Sequence, residues 1–507
     1  VSAPVLTTTA AERDRARTSV PVVAVTSAIV LAIPATLLVG SQSGVVLLVG
    51  AAAAALGLCA LISPVFAVAV FLVTLFCRLP IKSVAAGLPI EAFWPVFGAL
   101  VCAVVLWTTR TPDRLRGIGA VEWAMAAYLM WNYYSMLAPH QYPAGSALTA
   151  EPFAVHRFIF VGTLIPFALY AIGRCVSDRA TAVRALLWTV LVLASYSAVV
   201  SIMPFAGLAD QVWPRYIVTE VRPSWVGRAV GIFNQPVANG MVLVLGIAIA
   251  MVLANRRGDP AWQRCLAMAV ATASGIGLYL THTRAVWLAG VVVLVMGAIL
   301  AKGQRRAFVV VLLLVGLLVV VNWSSFTSAD RTAGGVGSDV EVQSRLNDMQ
   351  TALWAFTQKP IDGWGIGRFQ SVNSYHHQQW SADVPWAAGW GEASHENELA
   401  ILAELGVIGL GAWVCALALI TRRLWSAYRT LPDEQLCGRP IVVIAMMAIA
   451  VLLCAGFTVD LRYFDFPTAV IFLLAGVAVG WADRCERAPA GADDDGVARL
   501  QPCQVSR

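Results

Sequence analysis

The chain has 507 residues, of which 59% are hydrophobic and 13% charged, and it carries a formal net charge of +6. A soluble domain is about half apolar and about a quarter charged, and chains of this length usually divide into several cores rather than enlarge one, so the excess of apolar surface points to a bilayer. The composition weighs against a soluble enzyme, a disordered chain and a disulfide-stapled secreted domain, and the scattered arginines form no basic stripe for nucleic acid.

A helix needs about 20 mostly apolar residues to cross the hydrocarbon core. After a cytoplasmic tail, 1–19, the stretches 20–40, 43–62, 64–79, 89–107, 120–137, 156–173, 183–204, 236–254, 263–281, 285–301 and 306–322 have that character, the third being short. An outer segment, 323–394, interrupts the series before 396–420, 440–458 and 465–482, and a tail of 483–507 reads as disordered. The expected fold is all-α, a polytopic bundle of 12–14 transmembrane helices with one large extracytoplasmic loop. With the N-terminus inside and the sides alternating, 23 of the 35 Lys and Arg fall on the cytoplasmic side. Cytoplasmic loops carry that excess, so both termini are expected in the cytoplasm. The first span is too long for a signal-peptide core and lacks a small-residue cleavage site. The outer segments 138–155, 206–235 and 323–395 contain no cysteine, and no Cys/His spacing suits a structural zinc.

Long loops on a rigid scaffold tend to carry function. In the outer segment, Val342, Leu346, Met349, Leu353 and Phe356 recur at helical spacing and predict an amphipathic helix near 341–358. A glycine-rich turn follows at Gly363-Trp364-Gly365-Ile366-Gly367. The Trp residues at 354, 364, 380, 386 and 390 either stack on sugar faces or sit as interfacial anchors. The glycines do not form a dinucleotide loop, which needs a preceding strand and a following helix. Nor is His395-Glu396-Asn397-Glu398 a zinc-protease motif, because Leu399 stands where the second histidine would be.

Ionisable residues gather at the outer mouth of the bundle: His395, Arg284, Arg345, Arg228 and Arg222. Boundary arginines can snorkel to headgroups, but the exterior should be poor in arginine, and guanidinium forks suit diphosphates. Imidazole titrates near neutrality and can act as a base. Together these residues suggest a pocket for an anionic, lipid-linked substrate.

Four stretches resemble the O-antigen ligase and polymerase superfamily. They are GRAVGIFNQPVANG (227–240), THTRAVWLA (281–289), the run from Ser344-Arg345 through Ala352 and Pro360 to GWGIGRF, and SHENELAILAELGVIG, in which Gly406 and Gly409 follow His395. The resemblance covers roughly residues 228–420. It implies a GT-C-like membrane glycosyltransferase acting outside the cytoplasmic membrane. Its donor would be a glycan on a polyprenyl-diphosphate (undecaprenyl-type) carrier, and its acceptor a hydroxyl on a glycan, lipid or protein. By the same resemblance His395 orients or deprotonates the acceptor hydroxyl, Arg284 and Arg345 hold the diphosphate, and Arg228 and Arg222 are further candidates for that task. Trp364 belongs to the substrate-facing loop. The superfamily's ligases commonly carry Asn, Ser or Gln after the histidine; here Glu396 stands there and would orient the imidazole or raise its basicity. No metal or cofactor is expected, and the first outer loop, Ser41-Gln42-Ser43, lacks the Asp-x-Asp of metal-dependent oligosaccharyltransferases. A flippase or transporter, which would place polar residues and broken helices at the membrane midplane, and a non-catalytic assembly partner remain the alternatives.

Overall fold

The computed structural model describes residues 63–84, 91, 93–110, 117–148, 153–177, 179–256, 258–328, 339–433 and 435–486. The spans expected at 20–40 and 43–62, the N-terminal tail, and the C-terminal tail from residue 487 lie outside them. The chain forms two compact units, 1–114 and 115–507. Among the described residues, all regular structure is helical.

In the first unit, α1 (Pro64–Phe76) opens on Ser63, whose hydroxyl accepts from the Phe66 amide, with Pro64 at the first helical position. That start suits a helix, because the proline removes an amide that would have no partner there. A short α2 (Arg78–Val84) and α3 (Phe93–Arg110) follow. Phe71 of α1 meets Phe97 of α3 with ring centroids 5.3 Å apart, and Arg78 Nε pairs with Glu91 Oε2 at 3.0 Å.

The second unit contains α4 (Ala120–Leu137), α5 (Val155–Val176), α6 (Ala180–Ile202), α7 (Pro236–Ala254), α8 (Ala261–Leu280), α9 (Arg284–Leu300) and α10 (Arg305–Val321). Then come α11 (Asp339–Gln358), α12 (Phe369–His376), α13 (Asn397–Thr430), α14 (Arg439–Gly456) and α15 (Asp465–Cys485). Helices stand at each stretch from 64–79 onward that was expected to span. Seven of them (α3, α5, α6, α7, α13, α14 and α15) are by themselves long and apolar enough to cross a membrane. The protein is an all-helical, multi-pass membrane protein.

Helices α7 and α15 form the centre of this unit and are almost wholly buried. Lipid tails are as apolar as leucine, so helices in a membrane associate by close packing at small residues rather than by hydrophobic exclusion. The α5–α15 contact follows that rule. A Cβ on Gly476 would stand 2.1 Å from the Tyr170 carbonyl oxygen, and one on Gly173 would stand 2.7 Å from that of Leu473. Helix α10 lies at the other extreme, with Leu313, Leu314, Leu317 and Leu318 all exposed, as lipid contact allows.

Helix α13 is broken at Gly406, which has φ of +66°. In lipid, a broken helix must have its freed backbone groups satisfied by protein. The turn after α11 does this. Trp364 N–H donates to Ala403 O at 3.0 Å, Gly365 N–H to Glu404 O at 2.8 Å, and Val407 N–H to Pro360 O at 2.9 Å. The Trp131 indole of α4 takes Leu405 O at 2.9 Å. Buried Arg462, between α14 and α15, then faces Glu404 at 2.8 Å and Asp460 at 2.7 Å. The glycine-rich turn is thus a plug in the α13 break, and it ties the long loop to the half-helix that begins just after His395.

Candidate active site

Helix α11 covers the stretch read as amphipathic, but its buried face differs from the apolar stripe. The fully buried positions are Asn347, Asp348, Thr351, Ala352 and Ala355, while Val342 and Leu353 are exposed. The reason is what covers the helix. A loop without strands has many backbone groups to satisfy, and this one satisfies them on α11 side chains. Asn347 Nδ2 donates to Pro385 O and Ala388 O, both at 2.9 Å, and its Oδ1 accepts from Trp380 N–H at 2.8 Å. Thr351 Oγ1 accepts from Gln378 N–H at 3.0 Å.

Asp348, 3% exposed, sits at the centre of this face and binds His395 Nδ1 through Oδ2 at 2.6 Å. Its Oδ1 accepts from Asn373 Nδ2 of α12 at 3.1 Å, and the same Nδ2 also donates to Gly389 O at 2.7 Å and Glu392 O at 3.1 Å. On the far side of the imidazole, Nε2 lies 3.8 Å from Glu392 Oε2, which accepts from Ser344 Oγ at 3.1 Å. His395 is therefore held at Nδ1 by a buried carboxylate, with a third of its side chain still exposed (34%).

The electrostatics follow from this geometry. Burial pushes the Asp348 carboxyl up to about 6, against the opposing pull of His395. Burial works to lower His395, yet the Asp348 hydrogen bond and charge, with Glu392 behind them, hold it above the ordinary imidazole value. Burial also raises Glu396, while Arg345 draws it back. Half-buried Arg345 makes no ion pair among the described residues, and its positive charge opposes protonation of His395. Asp348, Glu392 and His395 also bring one ligand atom each within 4.8 Å of one another, a set able to hold a metal ion. The imidazole then has only Nε2 to offer, because Nδ1 is taken by Asp348.

The expected residues fall into distinct places. His395, Glu396 and Arg345 share one electrostatic neighbourhood. Arg284 opens α9 after a turn in which His282 has φ of +46°. Arg228 braces that turn, its guanidinium donating to Thr281 O at 3.0 Å and Thr283 Oγ1 at 2.6 Å. Arg222 is exposed and lies over the Trp225 ring, 4.7 Å from its centroid. Trp364 is only 7% exposed and packs against Tyr142 and Trp354, with its indole donating to Ala355 O. Its ring is part of the loop's own core, along with Ala352, Phe369, Val372 and Ala403. Sequence reasoning passed over Asp348, Asn373 and Glu392. Only Glu392, three residues before the histidine, left a local trace; Asp348 is 47 residues away from it.

Residues 267–414 match the O-antigen ligase family. This stretch, under a third of the chain, is thus similar to the O-antigen ligase family, in line with the resemblance read from the motifs. The match spans Arg284, the whole of α11 and α12, the Asp348–His395 pair and the Gly406 break, so this ligase-family region contains both the imidazole site and the plug that holds it. No curated protein matches the chain.

Proposed function

We propose that the protein transfers a glycan from a polyprenyl-diphosphate carrier to an acceptor hydroxyl on the outer face of the cytoplasmic membrane, without a metal and with inversion at the anomeric carbon. The observation that carries this reading is the Asp348–His395 pair, with Nδ1 engaged at 2.6 Å and the ring edge still open to substrate. In the neutral imidazole, Nδ1–H donates to Asp348 and Nε2 keeps its lone pair. Nε2 takes the proton of the acceptor hydroxyl as that oxygen attacks the anomeric carbon. The bond from that carbon to the diphosphate oxygen breaks, and the carrier diphosphate leaves with the electron pair. Arg345 and Arg284 would stabilise the charge that builds there, the kind of term that usually dominates such catalysis. Arg228 holds the Arg284 turn, Arg222 is a further diphosphate contact, and Glu396 tunes the histidine's surroundings. A carboxylate-held imidazole also serves proton relays in transporters; the ligase-family match across this pair favours the transferase reading here.

The test is glycan transfer by purified protein from a polyprenyl-diphosphate oligosaccharide, with and without EDTA. Wild type should form product in EDTA, and His395→Ala and Arg284→Ala should lower the rate by about 10²-fold or more. A ladder of products identifies a polymerase and a single addition a ligase. Product that disappears in EDTA and returns with a divalent cation would mean that Asp348, Glu392 and His395 hold a catalytic ion instead.

A further inference from the structure

We propose that Trp386 and Trp390, with Glu392 at their edge, form the subsite that holds the acceptor glycan against His395. This rests on the transferase reading above and assigns the ligand to a specific surface of the loop. Trp386 and Trp390 are 51% and 39% exposed. Their ring centroids are 6.0 Å apart with planes tilted by 32°. They are held in place but left uncovered: Trp386 meets the His377 ring edge-on at 5.2 Å, and the Trp390 indole donates to Ser374 O at 3.1 Å.

This ledge and the catalytic pair form one hydrogen-bonded body. Asn347, next to Asp348, holds the carbonyls at 385 and 388 on either side of Trp386. Asn373 holds the carbonyls at 389 and 392 on either side of Trp390 while it also binds Asp348. A Cβ on Gly389 would stand 3.1 Å from Asp348 Oδ1, so the backbone beside Trp390 touches the carboxylate that orients the imidazole. A ligand on these rings is thereby indexed to His395 without any further element.

The surrounding charge selects the occupant. Tryptophans that anchor a protein at lipid headgroups work alongside Lys and Arg, which attract the phosphates. Residues 369–398 contain no Lys or Arg and four carboxylates, Asp383, Glu392, Glu396 and Glu398. The segment that carries the ledge thus offers no cation of its own to a lipid phosphate, and the donor's diphosphate has its counter-charges on Arg345, beside His395, and on Arg284. The ledge suits a neutral sugar, which lays an apolar C–H face on the rings and offers hydroxyls to Glu392. Glu392 Oε2 lies 3.8 Å from His395 Nε2, so the sugar it grips presents its hydroxyl to the base.

The experiment is calorimetric titration of the full chain in phosphatidylcholine nanodiscs, using neutral oligosaccharides released from the producing cell's own surface polysaccharide. Wild type and His395→Ala should both bind saturably. Trp386→Ala/Trp390→Ala should bind about tenfold or more weakly, and Trp386→Phe/Trp390→Phe within about threefold of wild type. Unchanged melting temperature of the alanine variant shows that it remains folded, and the phenylalanine pair reports on the ledge if it does not. No saturable binding by wild type, or equal binding by the alanine pair, overturns the proposal. So does a tryptophan dependence seen only as attachment to phosphatidylglycerol vesicles, which would make the pair a headgroup anchor. Tryptophan-dependent binding in a protein that transfers no glycan would leave the ledge standing and remove the transferase reading alone.

Discussion

Asp348 governs His395 because it holds Nδ1 from a buried position, and the pH dependence of transfer should show it. A base is active in its deprotonated form, so the rate should rise with pH through the titration of His395, whose midpoint stands above the ordinary imidazole value. Neutralising Asp348 weakens its hydrogen bond to His395 and removes its charge, the two largest influences that raise the imidazole. Asp348→Asn is therefore expected to move the acid limb of the pH–rate profile to lower pH and to reduce kcat at neutral pH by about 10²-fold, with little change in KM. Glu392→Gln should move the limb in the same direction by less, since Glu392 acts across 3.8 Å rather than through a hydrogen bond. A limb that stays in place in Asp348→Asn would mean that His395 is not the titrating base.

At the scale of elements, the break in α13 determines whether the site keeps its shape. Gly406 has φ of +66°, and a Cβ there would stand 2.1 Å from Ile361 O, in the turn that plugs the break. Gly406→Ala is expected to cost about 2 kcal/mol or more from backbone strain and the displaced plug. It should also lower transfer, because the half-helix after His395 loses its tie to the loop. Thermal unfolding in detergent and the transfer assay measure the two effects, and an alanine variant with wild-type stability and rate would show the plug to be dispensable. Helix α11 carries a related lesson. Its apolar period made the helix legible, but the residues it buries are Asn347, Asp348 and Thr351, since the loop above it needed hydrogen-bonding partners more than apolar contact.

Over the whole molecule, the two ends of the second unit differ in chemistry. At the end opposite His395, Arg174 pairs with Glu122 and with Asp483, Asp483 also with Arg423, and Asp259 with both Arg184 and Arg256. These are boundary arginines of the kind that the positive-inside bias enriches in the cytoplasm, and the outer-face proposal expects this end there. In a variant freed of native cysteines, a cysteine at Ser381 should react with a membrane-impermeant maleimide in intact cells, and one at Asp433 only after permeabilisation. The reverse pattern would put His395 in the cytoplasm and remove the outer-face reading.

Composition and periodicity by themselves determined a helical, multi-pass membrane protein, because the cost of placing polar residues in hydrocarbon is local and needs no partner to be felt. The motifs brought His395, Arg345 and Arg284 forward for the same reason, since each is an unusual residue type for its place along the chain. Only the tertiary structure decided what holds the histidine. Asp348 reaches it across 47 residues, and nothing local distinguishes that carboxylate from a solvated one on the outside of a helix. Likewise, only packing separates Trp364, enclosed among other rings, from Trp386 and Trp390, left open beside the base. Burial depends on what folds over a side chain, and here that is a loop whose course is set by hydrogen bonds between distant residues.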